Sequence, residues 1–169
     1  IVARGVDEPY RLFTSRSEFR LTVRQDNALR RLAPIGLAFG LFTDDERRMI
    51  DKRLNAEDLA GELAASTSVS PEQVHTLLQR VGSAPIPHSV KVLELARRPE
   101  VSLAALFDAV GLVEAPIGEA VVTVDLEIKY AGYFAREREA AERLRRMGNF
   151  VLALELPYAE MKSLSTEAR

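Results

Sequence analysis

TDDERRMIDKRLNAEDLAGELAAS, residues 43–66, decides whether this chain is built of helices or strands. Thr43 is followed three residues later by Glu46, the spacing of a capping box: the threonine oxygen takes an orphan amide while the glutamate reaches back. Asp44, Asp45 and Glu46 then fall in a first turn, where negative charge complements the helix dipole. The stretch 43–54 is therefore predicted to open a helix, with EDLAGELAAS as its continuation.

The same grammar extends in both directions. Downstream, Ser70, Pro71 and Gln73 begin PEQVHTLLQRV, which Gly82 can close with a left-handed cap. Ser89 is expected to open VKVLELARR before Pro99, and Ser102 to open LAALFDAV before Gly111. A last, long helix is expected from about Glu119 to Met147, stopping at Gly148, and the apolar FVLALELPY after it reads as a short strand or an extended arm. Upstream, Asp26 or Asn27 can cap ALRRLAPIGLAF, which Pro34 should bend or interrupt. Before that lies TSRSEFRL, where Ser15 and Glu18 form another capping box and predict a helix from Arg16. The rival reading there is a strand, because Phe19, Leu21 and Val23 alternate with Arg20, Thr22 and Arg24. The fold class expected is all-α, an array of short helices with one long helix.

Composition narrows the function classes. The chain has 169 residues, 47% hydrophobic and 28% charged, enough to bury one core. No apolar run approaches the roughly 18 to 20 residues needed to span a bilayer, so no membrane partner is expected. The start, IVARGVDEPY, has neither a signal-peptide pattern nor an initiating Met, which leads to the expectation of a fragment. With no cysteine, the chain can form no disulfide, Cys-liganded zinc or thiol nucleophile, and a reducing cytoplasmic location is the expectation.

Charge becomes informative when divided along the chain. Residues 1–31 hold seven Arg and four acids, a surplus of +3, whereas 32–128 hold eight bases and fifteen acids, −7. Residues 129–146 return to +3 with six bases and three acids. Two basic patches are thus embedded in an acidic scaffold, and the formal net charge of −2 conceals both.

Catalytic signatures are missing. No glycine-rich phosphate loop, HExxH or GxSxG occurs, and the two histidines, His75 and His88, stand on different elements. No catalytic residue and no metal ligand is assigned. The basic patches are the candidates instead. If residues 16–24 are helical, Arg16, Arg20 and Arg24 drift only about 40° per step and form one ridge. Three guanidiniums on a ridge repel each other unless an anion lies across them, and the guanidinium fork matches phosphate oxygens. The plainer alternative is a face neutralised by Glu18, Asp26 and acids of the central region. In the second patch, Lys129, Tyr133 and Arg136 stand at i, i+4 and i+7, so an aromatic sits between two bases and could stack a nucleobase. Gly132 in mid-helix suggests a close approach by another backbone or a ligand. The bland alternative makes Tyr130, Tyr133 and Phe134 partly core, with Arg138 and Glu142, or Glu139 and Arg143, as ordinary i, i+4 pairs.

These residues also carry a resemblance. EPYRLFTSRSEFRLTVRQDNALRRL (8–32), followed by Gly36 and GLFTDDER, resembles the signature EPYRxFTSRAEYRLxLRxDNADxRL…G…GLxxDER of the GidA family, the tRNA uridine 5-carboxymethylaminomethyl modification enzymes, also called MnmG. KYAGYFARE (129–137) is similar to the family's KYxGYIxRQ, and LPYAEMKSLSTEAR (156–169) to its DYxxxxGLSxEx. Leu29 and Arg30 stand where the family usually has Asp and Leu, and Glu137 where it has Gln. The resemblance implies a fragment of a larger flavoprotein, C-terminal to a Rossmann-type domain that binds FAD. It implies NADH, a folate donor and a partner GTPase for the full-length enzyme, no cofactor in this fragment, and tRNA as the partner. It also implies a helical domain over 1–152, with 153–169 an extended arm and the start of a truncated helical tail, and no activity for the fragment alone. The functional positions it marks are Arg11, Arg16, Arg20, Arg24, Asn27, Arg31, Lys129, Tyr130, Gly132, Tyr133 and Arg136. They would contact RNA, or dock this region onto the flavin domain or the partner GTPase without touching RNA.

Overall fold

The computed structural model describes residues 19–113, 115, 116 and 118–148. Six helices and two very short strands follow one another along them. The helix predicted from Thr43 is α2, Asp44–Ser66, and it runs unbroken through EDLAGELAAS. Its box is closed in both directions: Glu46 N donates to Thr43 Oγ1 at 3.3 Å, and Thr43 N donates to Glu46 Oε2 at 2.8 Å. Thr43 Oγ1 also donates to Glu46 Oε2 at 2.8 Å, and the two bonds that the carboxyl accepts hold it below the ordinary glutamate value, the one from the Thr43 backbone acting most strongly.

α1, Ala28–Ala38, precedes it, and Pro34 neither ends it nor splits it. Proline removes one amide, the donor that would reach the Arg30 carbonyl, and the flanking bonds carry the helix through. Gly36 is needed where it stands, since a Cβ there would lie 2.5 Å from Cε2 of Phe42. The ring of the loop residue thus packs directly on the helix backbone.

After α2, β1 (Ser68–Val69) pairs antiparallel with β2 (Val90–Lys91), with Val69 opposite Val90. Between them α3, Pro71–Arg80, starts from a second capping box, Ser70 with Gln73, and ends at Gly82 with φ +68°. The helix expected from Val90 is displaced: Val90 and Lys91 are extended, and only Val92–Leu95 form a helix, α4. A partner distant in sequence overrides the Ser89 cap, because the ladder with Ser68 and Val69 is extended by Val92 N donating to Thr67 O at 3.0 Å. α5, Leu103–Ala109, begins at Ser102 as predicted. α6 spans Glu119–Met147 and reaches Gly148, the bounds read from the sequence.

The core lies between the C-terminal half of α2, helices α3, α4 and α5, and the start of α6. Val69, Val74, Leu78, Val92, Leu95, Val101, Leu103 and Leu106 are its fully buried side chains. α2 contributes Ala60 and Ala64, and α6 contributes Val121. Beyond Phe134 no residue of α6 up to Met147 is buried, so the helix is core at one end and surface at the other.

Candidate functional site

The first basic segment does not make the expected ridge. Residues 19–27 form turns, with Phe19 at φ +53°, and α1 begins only at Ala28. Side chains compete for the backbone groups a helix would use. Asn27 Oδ1 accepts from Arg24 N at 3.1 Å, Asn27 Nδ2 donates to Thr22 O at 3.2 Å, and Thr22 Oγ1 donates to Phe19 O at 2.7 Å. The expected start at Ser15 and Arg16, and the candidate Arg11, lie outside the described residues.

Arg24 is the centre of this turn and points inward. Its Nε and Nη2 donate to the Asp26 carboxylate at 2.9 to 3.2 Å, Nη1 donates to Leu21 O at 2.7 Å, and Nη2 pairs with Glu127 of α6. The guanidinium carbon lies 3.9 Å above the centroid of the buried Phe134 ring. Burial works against its charge, but the hydrogen bonds and attraction of Asp26 and Glu127 outweigh it and raise the pKa above the ordinary arginine value. Arg24 therefore rivets the turn to α6.

A second internal network uses residues the sequence reading passed over. Glu57 of α2 is buried, and its carboxylate accepts from Arg30 Nε at 3.0 Å and Arg53 Nε at 2.9 Å. Arg53 continues to Glu119 Oε2 at 2.9 Å and Thr123 Oγ1 at 3.1 Å, joining α2 to α6. Arg30 also donates to Asp58 at 2.7 Å, joining α1 to α2. For Arg30 too, burial lowers the pKa but Glu57 and Asp58 more than reverse it. The i, i+4 spacing of Arg53 and Glu57 was the available signal; nothing local revealed that Glu57 is buried.

On α6 the patch divides. Lys129 Nζ is paired with Asp125 at 2.7 Å and largely covered, while the other Asp125 oxygen accepts from Leu103 N at 3.2 Å, capping α5. Lys129 is thus linked through Asp125 to the start of α5. Tyr130 and Tyr133 are exposed, and the Arg136 guanidinium lies 4.7 Å above the Tyr133 centroid, without an ion pair among the described residues. Around Gly132 no neighbour among the described residues comes within 4 Å of where a Cβ would stand, so the expected close approach is not seen there. Farther along, Glu139 pairs with Arg143 at 3.2 Å as expected, whereas Glu142 pairs with Arg146 at 3.4 Å rather than with Arg138. Of the remaining candidates, Arg20 is exposed on the turn, and Arg31 is exposed with its Nε on Asn27 Oδ1 at 3.0 Å.

Other sites offer less. A cleft of about 380 Å³ lies among Asn27, Arg30, Glu57, Asp58, Thr123 and Glu127, where Arg30 is engaged with Glu57 and Asp58, and Glu127 with Arg24. Among the described residues no cluster of His, Asp and Glu could hold a metal ion, and no helix is long and apolar enough to cross a membrane. The strands are two residues each and antiparallel, so the described residues contain no parallel βαβ crevice of the kind that holds a dinucleotide.

Comparison with known proteins gives a consistent result. Residues 44–138 match the family described as the tRNA modifying enzyme MnmG/GidA C-terminal helical domain. Over its whole length the chain is 34% identical to the tRNA uridine 5-carboxymethylaminomethyl modification enzyme MnmG of Parabacteroides distasonis and 37% identical to that of Desulfitobacterium hafniense. It spans only 28% and 27% of those two proteins. A crystal structure of Aquifex aeolicus GidA superposes on 97% of the chain with a TM-score of 0.61 at 31% identity, the match covering 25% of that chain.

Proposed function

Since the chain belongs to the family of MnmG/GidA C-terminal helical domains, we propose that it is the tRNA-binding part of a FAD-dependent enzyme that modifies the wobble uridine, and that RNA meets it on the outer face of α6. The observation that carries this reading is the Tyr133–Arg136 pair, an exposed aromatic ring with a guanidinium stacked on it and no carboxylate on that guanidinium among the described residues. Such a pair offers a π-face to an unstacked base and a fork of donors to its phosphate. Tyr130 extends the aromatic surface, its ring centroid 6.2 Å from that of Tyr133. Arg138 and Arg145, also without an ion pair among the described residues, stand on the opposite side of α6 from Arg136 and add only to the general positive field of the helix.

In this reading the flavin, NADH and folate chemistry and the engagement of a partner GTPase belong to the full-length enzyme, in the cytoplasm, and the fragment alone is inactive. Arg24 and Lys129 leave the set of RNA contacts and become positioning residues. Arg20 and Arg31 stay in it as phosphate contacts, being exposed and carrying no carboxylate partner among the described residues. A filter-binding titration with tRNA at two salt concentrations tests the reading. If single-stranded RNA is contacted, log affinity should fall against log salt with a slope of roughly −0.7 for each phosphate met, and Arg136→Ala should reduce that slope. Absent or salt-independent binding would refute it.

A second reading, docking within the same protein, is favoured by the inward engagement of Arg24. That arginine is used up inside the chain, so a docking surface has to be sought among apolar residues.

A further inference from the structure

Among the described residues, α1 is covered on one side only. Arg30, Ala33 and Gly36 face inward, onto α2 and the Phe42 ring. On the opposite side Leu32, Ile35 and Phe39 are 52%, 55% and 76% exposed. At 100° per residue these three lie within about 60° of each other, one apolar stripe at the spacing with which a helix packs on a neighbour. Leu41, also largely exposed, follows directly in the loop. Monomeric proteins seldom leave such an ordered stripe in water unless something covers it.

We infer that this face of α1 is a docking surface for the part of the full-length polypeptide that lies outside these 169 residues. Two observations select that occupant over a second copy of the chain. The relatives matched are more than three times as long as the segment, which makes up 28% of the first of them, so most of such a protein remains to be packed somewhere. The stripe is also small. Eleven residues of helix are about 16 Å long, whereas a stable interface between separate molecules covers about 800 Å² on each partner. Three side chains fall well short of that, yet suffice when a tether holds the partner at about millimolar effective concentration. The surface is on a different element from the RNA face, and the inference does not rest on α6 binding RNA.

Hydroxyl-radical footprinting of the full-length protein, without RNA, tests it. Phe39 is compared with Tyr133, 55% exposed on α6, each normalised to the intrinsic reactivity of its side chain. Phe39 should label several-fold less than Tyr133 although it is the more exposed of the two in this segment. Ile35→Asp should raise the labelling of Phe39 towards that of Tyr133. Equal labelling of the two in the wild-type protein overturns the inference. So does protection of Phe39 that vanishes when the protein is diluted to a monomer, as judged by light scattering, because that outcome assigns the face to a second copy.

Discussion

Two segments of this molecule carry a surplus of basic side chains, and within each the fold divides them between engaged and free: Lys129, Arg143 and Arg146 are paired in the second, Arg20 and Arg31 are without a carboxylate in the first, among the described residues. Around the start of α1, Arg24 and Arg30 turn inward and find carboxylates on α2, on α6 and in their own turn. On the outer half of α6, Arg136, Arg138 and Arg145 carry no ion pair among the described residues, and Arg136 stacks on Tyr133. Both segments have the same local excess of +3. What separates engaged from free bases in both is whether a carboxylate lies across from them in space, as Asp125 does for Lys129 and Glu127 for Arg24, so charge counted along a chain identifies candidates without identifying partners.

The comparison can be broken most decisively at Glu57. With that buried carboxylate removed, the partly exposed Arg30 and Arg53 lose the partner they share, and Glu57→Ala is expected to lower stability by about 3 kcal/mol in chemical denaturation, from two charge-assisted hydrogen bonds. An unchanged midpoint would mean the inward network is ornamental. Arg24→Ala comes next, with about 2 kcal/mol lost from charge-assisted hydrogen bonds and the contact with Phe134, while tRNA affinity of the folded protein stays as it was. A fall in affinity at intact stability would move Arg24 back among the RNA contacts. Tyr133→Ala should do the reverse: about tenfold weaker tRNA binding, or roughly 1.4 kcal/mol, with thermal stability unaltered. The smallest effect involves neither patch. Glu46 has a lowered pKa in the folded chain, so its stabilising bonds are present above the unfolded pKa and are lost as pH falls through the lower, folded one. An acid titration below about pH 4.3 should show that loss, and Glu46→Gln should flatten it.

Much of this architecture is legible in the chain because N-caps are local chemistry. Thr43, Ser70 and Ser102 each announce a helix beginning at the next residue, and each helix is there. Gly148 likewise marks the end of α6. What stayed hidden depends on distant partners. Val90 and Lys91 carry a helix signal and become a strand because Ser68 and Val69 are waiting for them. The turn before α1 carries a capping box and a strand alternation at once. Neither period prevails over residues 19–27, because Asn27 and Arg24 tie up the backbone and Glu127, about a hundred residues later, holds Arg24 in place. At the site, the Tyr133–Arg136 pairing followed from helical spacing alone, whereas the loss of Lys129 to Asp125 turned on which of two i, i+4 neighbours is covered. The boundary expected at 152/153 lies outside the described residues.

The 29 residues of α6 have a further consequence. A peptide of a dozen residues, the length of the stretch after Arg136, is too short to hold a helix in water on its own, since the first turn is costly to nucleate. Here that turn is formed at Ala120, Val121 and Thr123, all buried, and the rest propagates from it. The phase of the outer residues, and hence the direction in which Tyr133 and Arg136 point, is carried outward from that packing and fixed last at buried Phe134, under the Arg24 guanidinium. A substitution at Phe134 would therefore blur the outer face without belonging to it.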